Sequence, residues 1–343
     1  MKIWVDRLKQ EHTLPPEGYK ALLTCTHVDV TTYLHRQAQK VTQARFGNNI
    51  YIRGLIEISN CCRNNCYYCG IRKGNPQVER YRLSRETILD CCTQGYELGF
   101  RTFVMQGGEE AAQSSEWVEE TVAAIRNRFP DCAITLSLGE KTREEYERFF
   151  RAGANRYLLR HETFNAEHYK LLHPAEMSQQ NRIQCLHWLK EIGYQTGTGI
   201  MVGSPGQTTD HLIEDIRFIE CFRPQMIGIG PFGTSAPGSI EQTLRLLSIF
   251  RLMLPDALIP ATTALATLAP DGRERGILAG ANVVMPNLSP CEERIKYALY
   301  NNKASLGAEA AEGLAMLNKQ LQAIGYKVLP TRGDAPNGDN PFK

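Results

Sequence analysis

From residue 51 onward, short apolar runs alternate with longer segments in which apolar residues recur at helical spacing. The short runs predict eight strands, at 51–59, 102–106, 133–137, 156–160, 197–202, 226–230, 258–262 and 282–285. The longer segments predict helices at 84–98, 116–129, 143–152, 181–192, 209–221, 240–254, 273–279 and 292–300. Such an alternation is typical of parallel strands connected by crossover helices, and it places the chain in the α/β class.

Polar residues stand at the C-terminal ends of nearly all the predicted strands. An open doubly wound sheet would give a similar order of elements. A mouth shared by all these strand ends instead favours a closed (β/α)8 TIM-type barrel, which we expect to occupy residues 46–300.

The two ends of the chain are expected to lie outside this barrel. Residues 1–45 predict an N-terminal helical extension made of two amphipathic pieces that are separated at Pro15 and Pro16. Residues 301–343 predict a C-terminal helix and a tail. The part of the tail from residue 330 is rich in Pro, Gly, Asp and Asn, so it is expected to fray.

The composition is that of an ordinary globular protein, with 42% hydrophobic and 22% charged residues. A net charge of +2 gives no electrostatic reason to expect binding to nucleic acid or to an anionic membrane. The first residues carry charges of both signs and do not resemble a signal peptide, and no segment has the ~18 apolar residues of a membrane span. We therefore expect a cytoplasmic protein with no nucleic-acid and no membrane partner.

Four of the eleven cysteines, Cys61, Cys62, Cys66 and Cys69, fall within nine residues. Nothing directs the chain to an oxidising compartment, so the seven scattered cysteines are expected to be small buried side chains rather than disulfides. The spacing Cys62-x3-Cys66-x2-Cys69 lets three thiolates surround one small cluster, because each spacer can only loop back. A 4Fe–4S cluster held in this way keeps one iron open for a non-protein ligand. A structural zinc site is the competing interpretation, but it needs four ligands and the chain has no second CxxC pair.

This CxxxCxxC spacing, directly after the first predicted strand, resembles the motif of the radical S-adenosylmethionine (SAM) superfamily. In that superfamily the open iron is chelated by the amino and carboxylate groups of SAM. Reductive cleavage of SAM then releases a 5′-deoxyadenosyl radical. The resemblance implies one 4Fe–4S cluster on Cys62, Cys66 and Cys69, and SAM as the second cofactor.

Longer collinear segments resemble the HydE family of FeFe-hydrogenase maturases, which lies near biotin synthase and methylornithine synthase. They extend from about Gly54 to Pro290 and include LIEISNCCRNNCYYCG, TLSLGE, RYLLRHET, GTGIMVGSPGQT and IPATTALATLAPDGRE. The resemblance implies SAM-binding roles for Tyr68, Gly107, Gly108, Glu109, Thr135, Ser137, Glu162, Arg182 and Met201. It implies a substrate cavity lined by Arg160, Thr262, Thr263, Tyr297 and Tyr300.

These residue types suit a zwitterionic cofactor, since an arginine fork binds a carboxylate and a carboxylate accepts from hydroxyl or ammonium groups. Without the resemblance, Arg182 would be interpreted as a surface charge. Tyr297 and Tyr300, three residues apart on one predicted helix, would be interpreted as core residues. His161 lies between Arg160 and Glu162, so strand alternation should point it away from them.

The resemblance implies assembly of the two-iron subcluster of FeFe hydrogenase. In the HydE family the adenosyl radical attacks the sulfur of a cysteine-ligated iron complex that bears CO and cyanide. Transient contacts with other hydrogenase maturases and with an electron donor are implied as well. Many HydE proteins carry an accessory cluster near the C-terminus, but here no cysteine follows Cys291, so that cluster is expected to be absent. The alternatives are a radical SAM mutase or synthase acting on a small amino acid, and a catalytically idle cluster scaffold.

Overall fold

The computed structural model describes residues 1–110, 112–232, 239–299 and 310–336. Its helices are α1 Lys2–Glu11, α2 Pro16–Thr24, α3 Val28–Phe46, α4 Arg85–Glu97, α5 Ser115–Arg128, α6 Arg143–Arg151, α7 Ala166–Leu172, α8 Gln179–Ile192, α9 Thr209–Phe222, α10 Ser239–Met253, α11 Thr263–Leu268, α12 Gly272–Leu278, α13 Cys291–Lys296 and α14 Leu314–Ala323. Its strands are β1 Asn49–Ile52, β2 Gly54–Ser59, β3 Thr102–Gly107, β4 Ala133–Ser137, β5 Arg156–Leu158, β6 Gln195–Thr198, β7 Met201–Val202, β8 Met226–Ile227, β9 Gly230–Pro231, β10 Val283–Val284 and β11 Lys327–Leu329. Among these helices none combines the length and the apolar composition of a membrane-spanning segment.

Parallel pairing runs around a closed barrel. β2, β3, β4, β5, β6 and β8 pair in that order in one sheet. Three isolated parallel bridges complete the circle, from Met226 to Leu258, from Pro260 to Val283, and from Asn287 back to Leu55 of β2. The predicted (β/α)8 barrel is therefore confirmed. The strand predicted at 258–262 is reduced to single bridges, and Pro260 contributes to this because it has no N–H to donate to a neighbouring strand.

The strands predicted at 197–202 and 226–230 are each interrupted. β6 and β8 pair with each other below the break, and β7 and β9 pair with each other above it. At the break the two backbones come very close, since a Cβ on Gly199 would lie 1.8 Å from the carbonyl oxygen of Gly228. Only glycine tolerates this approach.

The strand predicted at 51–59 divides at Arg53 into β1 and β2. β1 lies below the barrel, where it pairs in parallel with β10 on one side and with β11 on the other. β10, β1 and β11 thus form a small three-stranded sheet at the base of the barrel. Of β1 and β2, only β2 is part of the barrel wall.

The N-terminal extension contains three helices rather than the predicted two. Pro15 and Pro16 separate α1 from α2 as expected, and Pro16 occupies the first helical turn, where a missing N–H costs nothing. A second break was not predicted. It arises because Cys25 and His27 adopt extended backbone angles between α2 and α3.

The tail segment 330–336 does not fray, contrary to expectation. Arg156 of β5 is completely buried, and its Nη2 lies 2.7 Å from Oδ1 of Asp334. The same nitrogen donates to the carbonyl oxygen of Arg332 at 2.8 Å. A buried guanidinium needs such partners, so the charge of Arg156 holds the tail across the base of the barrel.

The scattered cysteines also differ in part from expectation, because Cys221 and Cys291 are exposed while the other five are buried.

Candidate active site

The loop after β2 brings three half-buried thiols together at the mouth of the barrel. Burial, followed by the charges of Cys69 and Cys62, raises the pKa of Cys66 to about 12. Burial likewise raises the pKa of Cys69 to about 11, with a contribution from Cys62. The three sulfur atoms are therefore electrostatic neighbours, and they become thiolates when a metal replaces their protons.

The donor set fits a cluster better than a single metal ion. Within the described parts of the chain, no three His, Cys, Asp or Glu side chains converge closely enough to bind one metal ion, as a zinc site would require. Cys62, Cys66 and Cys69 instead lie on one loop, close enough for the charge of one thiol to raise the pKa of another. Three thiols of this spacing match the ligand set of a polynuclear iron–sulfur cluster.

The end of β3 packs directly on this loop. A Cβ on Gly108 would lie 2.2 Å from the carbonyl oxygen of Cys61 and 2.7 Å from Cβ of Cys62. The backbone N–H of Arg63 donates to the carbonyl oxygen of Glu109 at 2.8 Å. Gly108 therefore permits the contact between the two loops, and the following residue holds it.

A buried network of charges lies beside the cysteine loop. Oε1 of Glu109 accepts from the backbone N–H of Glu140 at 3.0 Å. Nε of Arg182 donates to Oε1 of Glu140 at 2.5 Å, and its Nη1 donates to the carbonyl oxygen of Arg160 at 2.9 Å. Arg182 is 6% exposed, so the interpretation of this residue as a surface charge is wrong. It joins α8 to the ends of three barrel strands.

Arg160 and Glu162 follow β5 and face each other. Nη2 of Arg160 lies 2.9 Å from Oε2 of Glu162. The backbone of Glu162 has a φ of +65°, a left-handed conformation that is common for glycine but that L-residues other than asparagine and aspartate rarely adopt. Its N–H donates to the carbonyl oxygen of Gly199 at 3.0 Å, which fixes this conformation. His161 points away, as expected, with Nε2 3.3 Å from Oδ1 of Asp215.

Several polar atoms in this region are buried without a hydrogen-bond partner among the described residues. Among them are Oγ1 of Thr135, Nε and Nη2 of Arg160, Oε2 of Glu162 and Oγ1 of Thr262. Buried polar groups are normally satisfied, so these atoms indicate that a polar ligand completes the site. A hydroxyl-rich, zwitterionic molecule such as SAM, or a polar substrate, fits this set.

The remaining predicted residues occupy different positions around the mouth. Ser137 ends β4 beside Gln106, and Met201 is buried in β7 opposite Gly230. Thr262 lies next to Gly230, whose Cβ would be 3.2 Å from the threonine hydroxyl. Thr263 is the first residue of α11, and its carbonyl accepts from Thr267.

The predicted helix at 292–300 ends at Lys296, so Tyr297 is not part of it. Tyr297 is 2% exposed and its hydroxyl lies 3.5 Å from Nε2 of Gln106 on β3. The side chain therefore contacts the barrel mouth as well as the core. Tyr300 lies outside the described residues.

Tyr68 is supported by two aromatic residues at the end of α7. Its hydroxyl lies 3.3 Å from Nε2 of His173, and the two rings meet edge to face. Tyr169 stacks on the other side of His173 with ring centroids 3.8 Å apart. Burial lowers the pKa of His173 to about 4, so this imidazole is neutral at physiological pH.

Sequence reasoning missed residues that shape the interior of the barrel. A Cβ on Gly228 would meet Leu158 and Arg160 at ordinary contact distances of 3.8–3.9 Å, so this glycine leaves space beside Arg160. The glycine pairs in GTG and GIG were the available signal.

Glu57 of β2 is completely buried and accepts from Nδ2 of Asn287 at 2.8 Å. Its signal was a charged residue within an otherwise apolar strand. No sequence signal indicated His173.

The chain is similar to known proteins over most of its length. A family model described as the Radical SAM superfamily matches residues 56–219. The FeFe hydrogenase maturase subunit HydE of Thermotoga maritima is 40% identical over 302 residues, which cover 86% of each chain. The 3-methylornithine synthase of Methanosarcina acetivorans is 26% identical and covers 95% of this chain and 93% of its own. A crystal structure of methylornithine synthase aligns with a TM-score of 0.80 at 23% identity, over 95% of this chain and 97% of that one, and shares the barrel fold.

Proposed function

The chain belongs to the HydE family of radical SAM hydrogenase maturases, and from that premise we propose that it assembles the two-iron subcluster of FeFe hydrogenase. Members of the radical SAM superfamily bind a 4Fe–4S cluster and SAM. In this proposal the substrate is a cysteine-ligated iron complex that bears CO and cyanide. The product is a sulfur-ligated iron fragment that can dimerise.

We assign the cluster to Cys62, Cys66 and Cys69 and the SAM site to the residues around it. Tyr68, Gly107, Gly108 and Glu109 would contact SAM from the first two strands, and Thr135, Ser137, Glu162, Arg182 and Met201 from the following ones. When bound, the cluster and SAM would supply a 5′-deoxyadenosyl radical. In this proposal its C5′ would form a bond with the cysteine sulfur of the substrate, and the electron left over from the thiolate would pass to the substrate iron, which is reduced by one electron.

The chain itself contributes binding and orientation. Arg160 has a buried Nε that finds no hydrogen-bond partner among the described residues, and it would hold the anionic part of the substrate. Glu162 lies 2.9 Å from Nη2 of the same guanidinium, and this ion pair would restrict the direction of the arginine side chain. The hydroxyl of Thr262 is buried and has no hydrogen-bond partner in the described part of the chain, and it would orient the substrate from the end of the strand at 258–262. Thr263 and Tyr300 are proposed as neighbours of this cavity on the resemblance alone.

The chain also limits the access of water. The tail segment around Asp334 packs on the buried Arg156 and would close the base of the barrel. A closed interior suits radical chemistry because a primary carbon radical must meet its intended partner and no other.

Two buried atoms, Arg160 Nε and Thr262 Oγ1, carry the proposal, because neither has a hydrogen-bond partner among the residues that the structure describes, in a chain 40% identical to a HydE protein. The test is a defined maturation assay with purified maturases and apo-hydrogenase. Wild type should form the sulfur adduct of 5′-deoxyadenosine and activate the hydrogenase, while Cys62→Ala should do neither. A rearranged amino acid in place of the adduct would support the mutase alternative, and normal activation by Cys62→Ala would support the scaffold alternative.

A further inference from the structure

Arg80 connects the two ends of the segment that carries the three cysteines. Its Nη1 donates to the carbonyl oxygen of Asn60 at 2.6 Å and to that of Ile71 at 2.8 Å. Asn60 lies just before the first cysteine of the motif, Cys62, and Ile71 lies just after the last one, Cys69. One nitrogen of the guanidinium therefore joins the chain on both sides of the motif.

The other terminal nitrogen of Arg80 binds the turn that follows the motif. Its Nη2 donates to the carbonyl oxygen of Arg72 at 2.7 Å and to that of Asn75 at 3.4 Å. Asn75 in turn donates from Nδ2 to the carbonyl oxygen of Gly70 at 2.7 Å. The chain directly after Cys69 is thus folded around a single guanidinium.

Asn60 fixes the position of Arg80 in return. Its Nδ2 donates to the carbonyl oxygen of Glu79 at 2.8 Å, and its Oδ1 accepts from the backbone N–H of Tyr81 at 2.8 Å. Asn60 is completely buried, so these bonds are shielded from water. The backbone on both sides of Arg80 is therefore attached to the residue whose carbonyl Arg80 binds.

No carboxylate among the described residues pairs with Arg80. All its hydrogen-bond acceptors are backbone carbonyls, and the neighbouring Glu79 pairs with Lys296 at 2.8 Å. Burial raises the pKa of the Cys62 thiol, and the positive charge of Arg80 is one of the influences that oppose this rise. The charge of the guanidinium thus acts on the first cysteine of the motif.

We propose that Arg80 is a positioning residue for the iron–sulfur cluster, which closes the cysteine segment around the cluster and supplies a positive charge that favours its reduced form. The inference rests on the proposed function, since it requires the cluster to be bound by Cys62, Cys66 and Cys69. Reduction adds one negative charge to a cluster, so a nearby cation raises the reduction potential. The hydrogen bonds of Arg80 act separately, because they depend on the planar shape of the guanidinium.

Two substitutions at this position separate the shape of the side chain from its charge. Arg80→Lys keeps the charge but replaces the planar fork of donors with a compact ammonium group, which cannot reach the same set of carbonyls. Arg80→Gln removes the charge and keeps an amide group that can donate.

Arg126 of α5 provides the matched control, because it makes the same kind of contact at the other end of the barrel. Its Nη1 donates to the carbonyl oxygens of Pro130 and Cys132 at 2.9 and 2.7 Å, and its Nη2 donates to that of Gly153 at 2.8 Å. These carbonyls precede β4 and β5, whereas the cysteine segment follows β2. Arg126→Lys and Arg126→Gln therefore make the same chemical changes away from the cysteines.

Two properties of the cluster are measured on anaerobically reconstituted protein without substrate. The first is the rate at which excess EDTA removes iron, followed by the loss of visible absorbance. The second is the midpoint potential of the cluster, obtained from a redox titration monitored by electron paramagnetic resonance. Far-ultraviolet circular dichroism of the same samples shows whether each variant is folded.

We expect both Arg80 variants to lose iron roughly five- to tenfold faster than wild type, because each lacks hydrogen bonds that join the ends of the segment. At a fixed potential, Arg80→Gln should contain about tenfold less reduced cluster relative to oxidised cluster, which corresponds to a midpoint lower by about 59 mV for a one-electron couple. Arg80→Lys should keep the wild-type midpoint. Both Arg126 variants should match wild type in both measurements.

The two parts of the inference fail on different results. Equal midpoints in Arg80→Lys and Arg80→Gln would overturn the role of the charge, and wild-type rates of iron loss in both variants would overturn the closing of the segment. If Arg80→Gln retains too little cluster for a titration, Arg80→Lys alone decides, because a midpoint shifted as far as expected for the glutamine variant would contradict the role of the charge.

The remaining outcomes concern specificity. Equally fast iron loss in the Arg126 variants would show a general loss of stability and overturn the particular role of Arg80. The expected rates and midpoints in a protein that does not activate the hydrogenase would support the role of Arg80 and contradict the proposed function.

Discussion

The hydroxyl of Tyr68 and Nε2 of His173 lie 3.3 Å apart, and a third group determines which of the two donates the hydrogen bond. Nδ1 of His173 lies 3.0 Å from the carbonyl oxygen of Tyr169, which can only accept, so the imidazole proton resides on Nδ1. Nε2 is then an acceptor for the Tyr68 hydroxyl. His173 is therefore a positioning residue for the aromatic ring between the second and third cluster cysteines.

Replacing His173 by Phe should weaken SAM binding while leaving the cluster in place. The substitution keeps a ring that can stack on Tyr169 but removes the acceptor for Tyr68. Loss of one neutral hydrogen bond corresponds to ~0.5–1.5 kcal/mol, or roughly a two- to tenfold weaker affinity. Calorimetric titration of cluster-loaded protein measures this. Tyr68→Phe should give a similar loss, and the double variant should not be additive; additive losses would show that the two residues act separately.

Replacing Gly108 by Ala should prevent cluster assembly. The added methyl group would lie 2.2 Å from the carbonyl oxygen of Cys61, so the cysteine loop must move away from β3. Iron and sulfide content after anaerobic reconstitution should fall several-fold. Gly228→Ala is the matched control, since its Cβ meets nothing closer than 3.8 Å. A normal iron content in Gly108→Ala would show that the loop position is not fixed by this contact.

Replacing Thr262 by Val should separate substrate handling from SAM cleavage. The change keeps the shape of the side chain and removes the buried unpaired hydroxyl. Hydrogenase activation should fall about tenfold or more, as expected when a buried polar substrate loses a partner. Production of 5′-deoxyadenosine without substrate should persist. Thr263→Val provides the comparison. Parallel loss of both activities in Thr262→Val would place this hydroxyl in the cofactor site.

Replacing Asp334 by Asn should destabilise the whole barrel. It leaves the buried Arg156 without its counter-charge, which costs about 3 kcal/mol in comparable pairs. Urea unfolding at pH 7 measures the loss. Asp29→Asn, which removes an exposed pair with Lys2, should leave the urea midpoint almost unchanged. Equal effects of the two substitutions would contradict the role of the tail segment.

The same ion pair predicts a direction of pH dependence. Although partial burial opposes it, the Arg156 and Arg332 guanidiniums lower the pKa of Asp334 from 3.8 to about 2. The unfolded chain therefore binds this proton at a higher pH than the folded chain. The stabilisation is present above about pH 4 and is lost as the pH falls toward 2, and this part of the acid sensitivity should be absent in Asp334→Asn.

Much of the fold could be predicted because the periodicity of apolar residues is a local property. The barrel strands around Thr135 and Arg156 and the helices between them follow directly from it. Asp334 could not be assigned from composition, because its order depends on a buried arginine far away in the sequence. The same holds for the break at Gly199, which is set by the approach of a neighbouring strand.

The candidate site likewise contains residues that the sequence predicts and residues that only the folded structure shows. The spacing of Cys62, Cys66 and Cys69 identifies them from the sequence alone. Arg182 is identified only by its position within a longer segment that resembles a known family. Glu57 had one local signal, a charge within an otherwise apolar strand, whereas His173 had none, because it acts by accepting a hydrogen bond from Tyr68. Side chains that act through other side chains become visible only when the chain is folded.

The left-handed backbone conformation of Glu162 affects which substitutions would accumulate at this position during evolution. This conformation costs an L-residue with a Cβ roughly 1 kcal/mol of free energy. Glycine adopts it freely, and asparagine adopts it more readily than glutamate does. Mutation would therefore tend to replace this glutamate in any lineage selected for folding alone. Descendants that no longer carry out the reaction should lose the carboxylate here early and gain thermal stability as they do so.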